Sequence, residues 1–221
     1  QSRLFTLLDE EVRESDLIRK AITHRSASKK NNERLEFLGD SVLSLVITEH
    51  LYQRMPDASE GDLSRMRAHL VKGTTLAAMA QELGLGEYLR LGPGELKSGG
   101  FRRHSIMEDA IEAIIGAVFL MRGFPTAREY ILELFKERLD NLPARDSLKD
   151  PKSRLQEWLQ SRGKALPLYE VVDVQGEAHK QTFTCECRVE SEGIVTTASG
   201  SSRRKAEQKT AADAFEIIQQ T

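Results

Sequence analysis

The apolar residues of this chain change their period near residue 143, and no single architecture accommodates both parts. Upstream they recur at three- and four-residue intervals through Leu35–Leu51, Leu63–Leu83, Ser105–Leu120 and Ala127–Leu139, which predicts helices. Breaks fall at Met55-Pro56, from Gly84 to Gly86, from Gly92 to Gly100 and at Gly123-Phe124-Pro125. No strand-like alternation occurs before residue 165. Downstream, Asp150 precedes Pro151 as a cap, and Leu155, Trp158 and Leu159 give Pro151–Gln160 one apolar face. Tyr169–Val174, Thr182–Val189 and Ile194–Gly200 then read as strands, and helical spacing returns over Ser202–Gln219. The expected organisation is an all-α domain over 1–143, a polar linker over 144–150 and an α-β-β-β-α domain over 151–221.

Composition narrows the function less than the pattern does. The 32 basic and 34 acidic side chains leave a net charge of -2, one unit each from residues 1–149 and 150–221. A polyanion-binding surface must therefore come from local clustering. Apolar runs such as Ala113–Met121, interrupted by Gly116, fall short of the roughly 20 residues of a membrane span, and no export signal opens the chain. A cytoplasmic protein without a membrane partner is expected. Cys185 and Cys187, two apart, share one face of a strand and cannot build a disulfide framework or a zinc quartet.

The segment Asn31-Asn32-Glu33-Arg34-Leu35-Glu36-Phe37-Leu38-Gly39-Asp40-Ser41 carries the chemistry. On a helix, Glu33, Glu36 and Asp40 share a face, while Leu35, Leu38 and Val42 point to the core. Stacked acids repel, and a divalent cation removes that penalty. Gly39 inside this helix costs roughly 1 kcal/mol relative to Ala, which points to the close approach of a backbone or a ligand. Asp109 and Glu112 form a second acidic pair, on an apolar helix where carboxylates need partners. Packed together, the two helices gather Glu36, Asp40, Asp109 and Glu112 into an oxygen-only pocket suited to Mg²⁺ or Mn²⁺. The alternative is a solvated face neutralised by Arg34 and nearby Lys.

Glu33 to Ser41 resembles the signature segment of the bacterial ribonuclease III family. The similarity continues through Ala21-Ile22-Thr23-His24-Arg25-Ser26, Glu60-Gly61-Asp62-Leu63-Ser64, Leu91-Gly92-Pro93-Gly94-Glu95 and Asp109-Ala110-Ile111-Glu112-Ala113, and covers nearly the whole chain. The resemblance implies a ribonuclease III-type helical endonuclease domain with Glu36, Asp40, Asp109 and Glu112 at its metal site. It places Asp40 and Glu112 closest to catalysis, and Glu33 and Glu60 near the site and the subunit interface. One departure is local: Leu8-Asp9-Glu10 stands where family members commonly carry Leu-Gly-Tyr.

Residues 151–221 are similar to a double-stranded RNA-binding domain. Ser153, Gln156, Glu157 and Gln160 on its first helix, His179 in the loop after the first strand, and Arg203, Arg204 and Lys205 opening the last helix match the family's three contact regions. Shape, 2′-hydroxyls and phosphate spacing carry recognition of A-form RNA, and the start of a helix favours anions. Lys97, Arg102 and Arg103, shortly before Asp109, are further candidates for phosphate contact.

The implied reaction is Mg²⁺-dependent hydrolysis of double-stranded RNA, with Mn²⁺ as a substitute, leaving 5′-phosphate and 3′-hydroxyl ends. Staggered cutting of both strands requires two pockets on a two-fold axis, and family kinship implies a homodimer through the helical domains and a role in ribosomal RNA precursor processing and that of other structured transcripts. Phe37, Leu38, Val42, Leu45 and Val46 serve either core or interface. Two rivals are a non-catalytic double-stranded RNA-binding protein and a metal-dependent phosphohydrolase of small nucleotides.

Overall fold

The computed structural model describes residues 3–177 and 180–220 and divides into two compact units, Gln1–Leu142 and Pro143–Thr221. The first is helical: α1 (Arg3–Thr6), α2 (Glu10–Arg13), α3 (Asp16–Ala21), α4 (Glu33–Arg54), α5 (Glu60–Val71), α6 (Gly73–Glu82), α7 (Pro93–Lys97) and α8 (His104–Asp140). The most extensive packing is α4 on α8, with α6 and α3 also lying against α8. Leu43, Val46, Ile47 and Leu51 from α4 and Ile111, Ile114, Ile115 and Val118 from α8 are almost fully buried.

Capping explains several helix starts. Ser15 and Ser59 accept amides at the heads of α3 and α5. Asp9, at the departure from the family pattern, caps α2 through the Val12 amide and also takes the Arg122 guanidinium at 3.0 Å. That substitution is accommodated by its own hydrogen bonds.

One boundary differs from the periodicity, and one expected break is found where the sequence puts it. The segment expected as one helix over 63–83 is two, because Lys72 adopts an extended backbone (φ -65°, ψ 145°) between α5 and α6. The apolar spacing runs across that corner because both helices bury a face, so period alone conceals it. In α8 the break falls at Gly123, whose φ of 75° favours glycine. By length and composition α8 is apolar enough to cross a membrane, which the sequence reading denied for its shorter apolar runs. Its apolar surface is instead buried among the other helices of this unit.

The second unit has α9 (Pro151–Gln160), β1 (Leu168–Gln175), β2 (Thr182–Val189), β3 (Ile194–Gly200) and α10 (Arg203–Gln220). The strands form an antiparallel meander in the order β1-β2-β3, with a register shift between Val171 and Asp173. Leu155 and Leu159 of α9, Cys187 and Val189 of β2, and Ala211, Ala214 and Ile218 of α10 make the core. Trp158 and Phe215 pack at its margin under cations, Arg162 lying 4.0 Å from the Trp158 ring and Arg154 4.7 Å from the Phe215 ring. Both cysteines are buried and unbridged.

Candidate active site

Helices α4 and α8 meet backbone to backbone. A Cβ added at Gly39 would lie 1.7 Å from the carbonyl oxygen of Glu112, and one at Gly116 would lie 2.3 Å from that of Leu35. Only glycine permits this crossing, so the misfit of Gly39 in a helix is explained by a neighbouring backbone. The crossing has a chemical consequence. Glu36 and Asp40 flank Gly39 on α4, while Glu112 is the contact itself on α8, with Asp109 one turn before it.

Charge reports the same convergence. Burial, then Asp40, Glu108, Glu36 and Asp109 in that order, push the Glu112 carboxyl up to about 8. Burial, then Asp109, Glu33 and Glu108, push Glu36 up to about 6, with Arg25 opposing them. Asp109 is raised by burial against His24 and Arg25, and Glu108 by burial, Asp109 and Asp40. Glu112 is 8% exposed, and among the described residues no hydrogen bond or ion pair from another side chain reaches the carboxylates of Glu36, Asp40, Asp109 or Glu112. Buried anions without partners are expensive unless a cation joins them. Among the described residues no three potential ligands already stand in a cage.

The other candidate acids behave differently. Glu33 is tied by Arg25 at 3.3 Å and by the Asn31 amide at 3.1 Å, and still acts on Glu36 and Asp109. Glu60, at the start of α5, accepts from the Ser64 hydroxyl at 2.7 Å and is not among the principal charges acting on Glu36, Asp109 or Glu112. A cavity of about 550 Å³ opens beside the acids, lined by Glu33, Glu36 and Asp109 and also by His24, Arg25, Asn32 and Arg103. Arg103 is held there by Glu95 at 3.0 Å. Lys97 and Arg102 do not line it. Glu108, His24 and Arg25 were missed as site residues. Glu108 had a usable signal, one helical turn from Glu112, whereas His24 and Arg25 carry no periodic signal at all.

Comparison with known proteins agrees with this geometry. Residues 14–139 match the model of a Ribonuclease-III-like family, and residues 151–218 match the double-stranded RNA binding motif. Curated relatives named Ribonuclease 3 include those of Shewanella denitrificans, 57% identical, and Vibrio cholerae, 54% identical, each over 217 residues, 98% of this chain and 96% of the relative. The chain belongs to the ribonuclease III family. It is an endoribonuclease acting on double-stranded RNA. Among solved structures, a nuclease domain of ribonuclease III from Campylobacter jejuni is 41% identical with a TM-score of 0.57, covering 62% of this chain and 94% of that one; its description concerns flexibility in a region involved in dimer formation.

In the RNA-binding motif of this ribonuclease III family member, the predicted contact residues divide into free and committed groups. Gln156 and Gln160 are exposed on α9. The Ser153 hydroxyl donates to the Asp150 cap at 2.7 Å, and Glu157 takes Lys149 at 2.6 Å. At the head of α10, Arg203 pairs with Glu207 at 2.7 Å, and Glu207 also takes Lys152 at 2.6 Å. Among the described residues Arg204 is exposed and makes no side-chain hydrogen bond, and Lys205 reaches the Ser201 hydroxyl at 3.2 Å. His179 lies outside the described residues.

Proposed function

We propose that this chain cuts double-stranded RNA with a divalent cation, Mg²⁺ or in its place Mn²⁺, held by Glu36, Asp40, Asp109 and Glu112. The observation that carries this reading is the buried Glu112 carboxyl, without a side-chain partner among the described residues, set against Asp40 and Glu36 across the Gly39 crossing and against Asp109 on its own helix. An all-oxygen, uncompensated donor set fits a hard divalent cation and disfavours zinc. When bound, the cation supplies a more acidic water and positive charge for the reacting phosphate.

The chain's own residues do the rest. Asp40 and Glu112 lie closest to the reaction, while Glu33 fixes Arg25 at the cavity wall. Arg25 and Arg103 offer the RNA backbone positive charge next to the acids, with Glu95 steadying Arg103 and His24 lining the same cavity. Glu60 acts at the subunit interface. Products carry 5′-phosphate and 3′-hydroxyl ends.

Residues 1–143 form the catalytic domain, 144–150 a linker and 151–221 the RNA-binding domain. The latter reads shape through Ser153, Gln156, Glu157, Gln160 and His179 in minor grooves and through Arg203, Arg204 and Lys205 on phosphates. Lys97 and Arg102 add weaker contacts from the nuclease domain. Staggered cuts come from a homodimer. Phe37, Leu45 and Tyr52, at 79%, 56% and 72% exposure, share one face of α4 and supply its apolar interface, whereas Val42 and Val46 belong to the core. The cellular role is the processing of ribosomal RNA precursors and other structured transcripts in the cytoplasm.

Labelled duplex RNA tests this. Cleavage is expected with Mg²⁺, none with EDTA, and none by Glu112→Gln. A Glu112→Gln variant that cuts like its parent overturns the proposal.

A further inference from the structure

Glu108 takes part in this field without belonging to the four-acid set. It precedes Asp109 and lies one turn before Glu112, so its side chain shares their side of α8. It is half-buried, and among the described residues it has no hydrogen bond and no ion pair. Asp109 and Asp40 are the charges acting on it, and it ranks behind only Asp40 among those acting on Glu112.

The second observation is a cradle. A Cβ at Gly73 would lie 2.2 Å from one Glu108 carboxylate oxygen and 2.4 Å from the other. The carboxylate therefore rests against the first residue of α6, where any larger side chain would displace it. Lys72, which precedes that helix, provides no side-chain capping bond. The glycine confines a charged group on which Asp109 and Asp40 both act unfavourably, and it confines it one helical turn before Glu112, which is itself more than nine-tenths buried and, among the described residues, without a hydrogen bond or ion pair from another side chain.

We propose that Glu108 is a fifth carboxylate of the divalent-cation site, seated by Gly73 and contributing directly to cation affinity with Asp40 and Glu112. This rests on the metal reading given under Proposed function and extends it to a residue and a cradle outside the four-acid set. The competing role is structural: a carboxylate at the head of α6 that serves only to stabilise that helix. The two roles predict opposite behaviour in the metal-free protein. A ligand surrounded by anions is a burden until the cation binds, whereas a helix-capping anion is an asset at all times.

The full chain is titrated with Mn²⁺ alone, by calorimetry and by the electron paramagnetic resonance of free Mn²⁺, and melted in EDTA and in Mn²⁺. Glu108→Gln should weaken Mn²⁺ binding on the order of tenfold and shrink the Mn²⁺-induced rise in Tm. Its Tm in EDTA should equal or exceed the parent's. Gly73→Ala, which moves the carboxylate without removing it, should also weaken Mn²⁺ binding. Parental Mn²⁺ affinity in Glu108→Gln overturns the inference, as does a lowered Tm in EDTA with binding intact, which would assign the helix-capping role. Mn²⁺ binding that is absent from the parent, or unchanged in Glu112→Gln, overturns the four-acid reading and this extension with it. Loss in Glu112→Gln but not in Glu108→Gln removes the fifth ligand alone.

Discussion

The acidic crossing of α4 and α8 and the basic head of α10 handle charge in opposite ways. At the crossing, Glu36, Asp109 and Glu112 are wholly or partly buried, Asp40 stands beside them, and among the described residues none takes a hydrogen bond or ion pair from another side chain. At the head of α10, Arg203, Glu207 and Lys152 form a satisfied chain, with Arg204 and Lys205 open to water. The first arrangement stores electrostatic cost that the divalent cation proposed above would relieve. The second is already balanced and offers spare cations, which suits reversible, salt-sensitive contact with phosphates. Chemistry and binding are thereby separable within one chain.

The strongest way to break this contrast is Glu112→Gln. Duplex cleavage should fall by more than ~100-fold, while gel-shift binding of duplex stays at the parental level. Equal loss of both would end the separation. Next in size is the crossing itself. Gly39→Ala drives a methyl into the Glu112 carbonyl, and urea denaturation should show a loss of roughly 3 kcal/mol or more. A variant as stable as the parent would mean that the backbones can part without harm.

The basic head gives a finer test. Changing Arg203, Arg204 and Lys205 together to Ala should weaken duplex binding and flatten its dependence on salt. Each free cation contributes a slope of about 1. Since Arg203 already serves Glu207, the change should lie nearer about 2 than 3. A full loss of about 3 would show that the ion pair yields to phosphate.

The smallest expected effect concerns pH in the metal-free protein. Glu112 binds its proton more tightly folded, at about 8, than its ordinary value of 4.5. Its contribution to stability is thus complete below about 4.5 and is lost as pH rises through about 8. In EDTA, Glu112→Gln should melt higher than the parent at pH 8, by several degrees at roughly 4 °C per kcal/mol, and the gap should close towards pH 5. A pH-independent gap would show that burial of charge is not the cause.

Local chemistry made much of this legible. The strands, the Asp150–Pro151 helix start and the Gly123 break follow from two-residue alternation, capping and φ preferences, which act within a few residues. Glu36, Asp40, Asp109 and Glu112 announced themselves because acids at helical spacing on apolar helices are costly. The corner at Lys72 was hidden because both helices it joins bury apolar faces in step. Phe37 and Leu45 could not be divided from Val42 and Val46, since all four fit an apolar stripe.

By itself the sequence determined the change of rhythm, the four acids and the need for close approach at Gly39, since these depend on neighbours along the chain. Only the tertiary structure decided that Gly39 meets the Glu112 backbone, that Gly73 seats Glu108, and that His24, Arg25 and Arg103 share a cavity with the acids. Those contacts join segments dozens of residues apart, and the distance between such segments is set by packing, which no local pattern encodes.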